Sequence, residues 1–163
     1  MDKKCIKAGD YASDFVLKDH KDKEFRLSAF KGKRVLLSFH PLAWTSVCAQ
    51  QMQSLDRHWE DFRKLNTIAV GINVDSVPSK KAWADIIGIQ STRLLSDFWP
   101  HGDIAKMYGI FREEEGFSER ANIIINGEGK IEFVRVYGIS ELPDIKEILT
   151  FLRHLDEKEI VQR

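Results

Sequence analysis

The chain has 163 residues, enough for one domain with a sizeable core, so a single domain over 1–163 is expected. Lys plus Arg and Asp plus Glu each number 25, which leaves no net field to recruit nucleic acid or an anionic membrane, and a small neutral substrate suits such a surface. No apolar run approaches a membrane span of roughly 20 residues, no hydrophobic stretch follows Met1-Asp2-Lys3-Lys4-Cys5, and two cysteines make no disulfide scaffold, so a cytoplasmic protein with reduced thiols is expected.

In chain order, Phe15 to Lys18 and Phe25 to Leu27 alternate around a charged turn, Asp19 to Lys23, and read as a hairpin. Arg34 to Phe39 is a buried strand that Pro41 stops, Thr45 to Leu65 a helix, and Thr67 to Val74 a second apolar strand. This βαβ unit implies parallel pairing. Pro78 to Ile87 reads as a short helix with Gly88 after its end. Leu94 and Leu95 lie in a short strand, and Asp103 to Tyr108 forms a helical turn or two before Gly109. Glu113-Glu114-Glu115-Gly116 reads as a solvated loop. Ala121 to Ile125 and Ile131 to Tyr137 flank Asn126-Gly127, a strong hairpin signal. Pro143 opens a last helix with Ile145, Ile148, Leu149, Leu152 and Leu155 as its buried stripe. The expected fold is an α/β three-layer sandwich of thioredoxin type, with a central mixed sheet and an N-terminal β-hairpin.

Chemistry concentrates where the first core strand meets its helix. Cys48, Met52, Leu55, Trp59 and Phe62 recur at spacings of four and three, so Cys48 lies in the first turn on the inward face. The first N–H groups of a helix lack intrahelical partners, and its dipole favours a thiolate there. A free cysteine is only a few per cent thiolate at pH 7, and making it mostly thiolate takes about 2.7 kcal/mol, whereas a helix terminus contributes roughly 0.3–1 and about 2 at most. Further donors are required, and Thr45 with an arginine from elsewhere are the candidates. The alternative is a small hydrophobe in the core, the role of most free cysteines.

The run Pro41-x-x-x-Thr45-x-x-Cys48, after a strand ending in Phe39 and before a helix, resembles the active-site loop of the peroxiredoxins, thiol peroxidases of thioredoxin-like fold. Phe15-Val16-Leu17-Lys18-Asp19, Leu27 to Lys33, Leu94-Leu95-Ser96-Asp97, Ala105 to Gly109 and Arg120 to Ile125 match in the family's order, so the resemblance spans about Ile6 to Leu155. It implies that Cys48 attacks hydrogen peroxide or a small alkyl hydroperoxide and becomes a sulfenic acid. It also implies that Thr45 hydrogen-bonds the peroxide, Arg120 stabilises thiolate and oxygens, Pro41 shields the sulfur, and the enzyme is a homodimer. The sequence departs from the family twice: Gln51 stands where Glu is usual, and Ser13 where Pro is usual.

His40, beside Pro41, is expected to border the thiol pocket or to pack beneath the loop, Trp44 to form pocket wall, Val47 to contribute a backbone N–H, and Trp83 to be core. The five histidines show no zinc-ligand spacing with either cysteine, and no Walker loop or dinucleotide fingerprint occurs, so neither metal nor cofactor is expected. Cys48-Ala49-Gln50-Gln51 lacks the second cysteine of a disulfide reductase. A non-enzymatic redox sensor or binding module on the same fold is the rival. No cysteine follows Cys48, which points to a one-cysteine route with an external thiol as reductant and leaves Cys5 as the sole internal candidate.

Overall fold

A computed structural model describes residues 6–162. The strands are β1 (Val16–Asp19), β2 (Glu24–Arg26), β3 (Arg34–Phe39), β4 (Thr67–Asn73), β5 (Arg93–Ser96), β6 (Phe111–Arg112), β7 (Phe117–Ser118), β8 (Arg120–Ile125) and β9 (Ile131–Tyr137). The helices are α1 (Ser46–Arg57), α2 (Trp59–Lys64), α3 (Val77–Ile87), α4 (Asp103–Met107) and α5 (Ile145–Val161), with a 3-10 turn at Leu27–Phe30.

Seven strands form one mixed sheet in the order β2-β1-β5-β4-β3-β8-β9. The β3-α1-α2-β4 crossover pairs β3 with β4 in parallel, as buried strands joined through helices must. β8 returns antiparallel on the other side of β3, with Ser38 opposite Asn122. The N-terminal hairpin is part of this sheet, because Lys18 and Asp19 of β1 pair with Ser96 and Leu95 of β5. No helix among the described residues is long and apolar enough to cross a membrane.

Two details differ from expectation. The single helix expected over Thr45 to Leu65 is broken at His58, whose backbone N–H bonds to Leu55 O at 3.2 Å while its ring nitrogen meets Ser54 O at 2.9 Å. Those i−3 and side-chain contacts displace the regular ladder and let α2 turn. The acidic run at 113–116 is a turn, but its flanks pair as the β6-β7 hairpin, held by Arg112 to Glu115 and Glu119. Strands of two residues are too short to show a period.

Alternation sorts the side chains onto two faces. Val35, Leu37, Phe39, Val70, Ile72, Ala121, Ile123 and Ile125 pack with Phe15, Phe25, Tyr108 and Phe111 on one face. Leu36, Ala69, Leu94 and Ile124 pack on the other with Cys48, Met52, Phe62 and Trp83 from α1, α2 and α3, and with Ile148, Leu149 and Leu152 from α5. The fit of α1 is set by Gly71 on β4. A Cβ there would lie 2.3 Å from Met52 Sδ and 3.1 Å from a Leu94 methyl carbon, so its absence lets the helix bearing Cys48 sit against the sheet.

Candidate active site

β3 ends at Phe39, and the following residues carry the chain out of the sheet. His40 N–H still bonds to Ile72 O at 3.1 Å, but Pro41 has no N–H to offer and the ladder stops. The loop from Pro41 to Thr45 is held by Ala43 N–H donating to Asp75 Oδ2 at 2.8 Å. Trp44 adopts φ 69°, a left-handed conformation that costs an L-residue roughly 1–2 kcal/mol, and its Nε1 donates to Ser79 Oγ at 3.0 Å. Thr45 is extended and caps α1 through its backbone, its carbonyl accepting from Ala49 N–H at 3.0 Å. Its hydroxyl donates to Leu42 O at 2.9 Å, which leaves the oxygen's lone pairs as acceptors.

Cys48 is the third residue of α1 and only 1% exposed. Its sulfur lies in a pocket of about 210 Å³ with Pro41, Thr45, Val47, Phe117, Arg120 and Ile139 in the wall. Arg120, the first residue of β8, enters from the sheet with Nη1 donating to Cys48 Sγ at 3.3 Å and to Gln51 Oε1 at 2.7 Å. Its Nε and Nη2 both donate to Ile139 O, at 3.0 and 2.6 Å. A fork anchored at one edge thus presents its charge to sulfur at the other. Such a cation within about 4 Å favours thiolate over thiol.

Behind Arg120 a hydrogen-bonded chain crosses the sheet. Gln51 Nε2 donates to Ser38 Oγ at 2.7 Å and to Phe39 O at 3.2 Å, and Ser38 Oγ donates to Asn122 Oδ1 at 2.7 Å. Asn122 Nδ2 donates to Tyr137 Oη at 3.4 Å, and Tyr137 donates to Glu147 at 3.2 Å. Gln51 therefore holds the arginine with its amide oxygen and uses its amide nitrogen on acceptors that a carboxylate could not serve.

Of the residues expected at the site, Pro41, Thr45, Val47, Cys48 and Arg120 share the pocket wall, and Gln51 reaches the site through Arg120. Two expectations are corrected. His40 does not border the pocket; its ring is fully buried beneath the loop, 5.5 Å from the Trp83 ring, with Nδ1 3.4 Å from Ser38 O. Burial first, then the nearby Lys80 and Arg120 charges, push its pKa well below the ordinary imidazole value against the Ser38 contact, so the ring is neutral at pH 7. Trp44 is not pocket wall either, because its positive φ turns it outward and leaves it 54% exposed, while Trp83 is core as expected. Cys5 lies outside the described residues.

Sequence reasoning missed Ser38, Asn122, Phe117 and Ile139. The first two carried a signal, since each is an uncharged polar residue set inside the apolar run that follows its strand's leading arginine. Ile139 acts through its carbonyl, which no side chain announces. A roomier cleft of about 340 Å³, lined by Tyr11, Phe30, Lys33 and Asn126, lies at the opposite ends of β3 and β8 and has no thiol in its wall.

A model of the AhpC/TSA family matches residues 8–134. The chain belongs to this family, the peroxiredoxins. This peroxiredoxin is 35% identical over 140 residues to alkyl hydroperoxide reductase E of Mycobacterium tuberculosis, covering 85% of this chain and 91% of the relative. It is 37% identical over 142 residues to peroxiredoxin-1 of Gekko japonicus, covering 83% and 69%. The mitochondrial 2-cys peroxiredoxin from Plasmodium falciparum superimposes with a TM-score of 0.87 at 26% identity, over 96% of this chain and 98% of that one. As a peroxiredoxin with a thioredoxin-like fold, the protein is a thiol-dependent peroxidase that acts on peroxide with a thiol as reductant.

Proposed function

We propose that Cys48 is the peroxidatic thiol. The observation that carries this is the 3.3 Å approach of Arg120 Nη1 to Cys48 Sγ inside a pocket that Thr45 also lines. The Cys48 thiolate attacks one oxygen of hydrogen peroxide or a small alkyl hydroperoxide. An S–O bond forms, the O–O bond breaks, and the leaving oxygen takes a proton to depart as water or alcohol, while sulfur is oxidised by two electrons to sulfenic acid. Thr45 Oγ1, its own proton engaged by Leu42 O, accepts a hydrogen bond from the peroxide. Arg120 and the free N–H groups of Val47 and Cys48 stabilise the charge that spreads onto the oxygens. Pro41 limits water around the sulfur.

Recycling runs by a one-cysteine route. The sulfenic acid condenses with a thiol from another molecule, releasing water, and a second thiol resolves the mixed disulfide. Within these 163 residues no cysteine follows Cys48, which supports this reading. A homodimer and a cytoplasmic setting, where thiols stay reduced, belong to the same proposal.

The test compares two variants. Cys48→Ser abolishes peroxide consumption in stopped flow, while Cys5→Ser leaves the first oxidation step unchanged. A dead Cys5 variant would overturn the assignment. Mass spectrometry after one equivalent of peroxide without added thiol finds sulfenic or sulfinic acid on Cys48; rapid, near-complete linkage of Cys5 to Cys48 would overturn the one-cysteine route.

A further inference from the structure

The hydrogen-bonded chain behind Arg120 ends at Glu147 on α5, and the peroxidase chemistry above leaves its outer half without a task. Its links all run in one direction. Arg120 can only donate, so Gln51 turns its Oε1 to Nη1 and keeps Nε2 for Ser38 Oγ. Ser38 then donates to Asn122 Oδ1, and Asn122 donates through Nδ2 to Tyr137 Oη. Tyr137 donates in turn to Glu147 Oε1 at 3.2 Å, and a carboxylate can only accept. The chain therefore has a donor-only group beside the sulfur and an acceptor-only group at its far end. Each group between them accepts from its inner neighbour and donates to its outer one.

Taken alone, none of the intermediate groups has a preferred direction. An amide turned over, or a hydroxyl rotated, still offers both a donor and an acceptor. The two ends decide. Resting on the reading of Cys48 as the peroxidatic thiol, we propose that Glu147 is a remote positioning residue, which through Tyr137 orders the chain so that Gln51 presents its amide oxygen to Arg120 and holds the guanidinium against the sulfur. The helix α5, which packs on the sheet through Ile148, Leu149 and Leu152, thus also acts on the site.

Burial makes the links depend on one another. Gln51, Ser38, Asn122 and Tyr137 are at most 4% exposed, so their partners must come from the chain itself. The Glu147 side chain is 30% exposed, and its other oxygen is held by Arg135. Tyr137 suits the last link. Burial raises its pKa most, the Asn122 bond opposes this and the Glu147 charge adds to it, which pushes the phenol up to about 12 and keeps its proton available to Glu147 at neutral pH.

Exchanging the terminal acceptor for a donor tests the idea, with stopped-flow oxidation of Cys48 by hydrogen peroxide as the readout. Glu147→Lys puts donor-only groups at both ends, so one link must break, and oxidation slows about tenfold, the worth of one buried hydrogen bond. Glu147→Gln also loses the Arg135 ion pair but keeps an acceptor oxygen, so its rate stays within about twofold of wild type. Tyr137→Phe cuts the chain and slows oxidation about fivefold. Adding Glu147→Lys to Tyr137→Phe slows the reaction no further, because the new donor has no path to Gln51. Glu147→Arg stands in should the Lys variant fail to fold. A Glu147→Lys rate within about twofold of wild type, a Glu147→Gln variant as slow as Glu147→Lys, or losses that simply add in the double variant would each overturn the proposal. Wild-type oxidation no faster than that of free cysteine would instead overturn the reading of Cys48, so the two failures are distinguishable.

Discussion

On one face of the central sheet, Val35, Leu37 and Phe39 of β3 meet Ala121, Ile123 and Ile125 of β8 in an apolar core; on the other, Leu36 and Ser38 stand beside Arg120, Asn122 and Ile124 under α1. Both faces are equally buried and separated by a single residue step. The first gains stability by dispersion and dehydration, and no polar side chain enters it from these two strands. The second carries the Arg120 guanidinium, an amide and a hydroxyl, whose hydrogen bonds are completed by the Ile139 carbonyl, Gln51 and Tyr137. Buried polar networks of this kind contribute little net stability but fix geometry, since leaving any member unpaired costs roughly 1–3 kcal/mol. The reactive face thus exchanges apolar contact for the exact placement of one cation against one sulfur.

The largest test removes that cation. Arg120→Ala, and separately Thr45→Val, should each slow peroxide oxidation of Cys48 by about 10²-fold or more, since one fixed donor to developing charge is worth roughly 2.7–4 kcal/mol. Stopped-flow rates on variants confirmed as folded decide it. Rates within about twofold of wild type would mean that the polar face is structural and that the helix terminus alone activates the thiol.

Gln51 sharpens the same contrast at smaller scale. Its Nε2 donates to Ser38 Oγ and to Phe39 O, so Gln51→Glu sets an acceptor against the Phe39 carbonyl at 3.2 Å. Ser38 can turn its hydroxyl to the new carboxylate only by abandoning Asn122 Oδ1. The variant should lose roughly 1–3 kcal/mol in urea unfolding, and its oxidation should be slower because a second anion faces the thiolate. Equal or greater stability with faster oxidation would show instead that the arginine-carboxylate pair outweighs the amide's donors.

How far all this was legible in the sequence follows from which forces write themselves in side chains. The apolar strands, the buried α1 positions Cys48, Met52 and Leu55, the Asn126-Gly127 hairpin and the α5 helix depend on local periodicity, and each stands within a few residues of its expected place, whereas Trp59, expected on the same inward stripe, is exposed past the break at His58. Only the family resemblance singles out Arg120, since nothing in its own neighbourhood distinguishes it from a solvated arginine. The breaks at His58 and the β6-β7 hairpin depend on side-chain contacts and tertiary pairing that no period encodes. An aromatic residue beside an active loop reads as wall, whereas the backbone φ of 69° decides which way Trp44 points. His40 continues the alternation of Leu36 and Ser38, which puts its ring beneath the loop and away from the pocket.

The smallest test compares neighbours. Ile123 and Asn122 are adjacent on β8, but Ile123 is fully buried in the apolar face between Leu37 and Val134, while Asn122 joins the chain leading to Cys48. Ile123→Val removes one methylene from a packed core and should cost about 0.5–1.5 kcal/mol, a fall of roughly 2–4 °C in Tm per kcal/mol for a chain of this size. Its oxidation rate should stay within about twofold of wild type, because no bond to Arg120, Gln51 or Thr45 passes through the apolar face. Asn122→Leu, one residue away and matched in branching, strands Ser38 Oγ and loosens Gln51, so it should slow oxidation several-fold as well as destabilise. If Ile123→Val slows the chemistry as much as Asn122→Leu does, the placement of Cys48 depends on the rigidity of the whole sheet, and the division of labour between its faces fails.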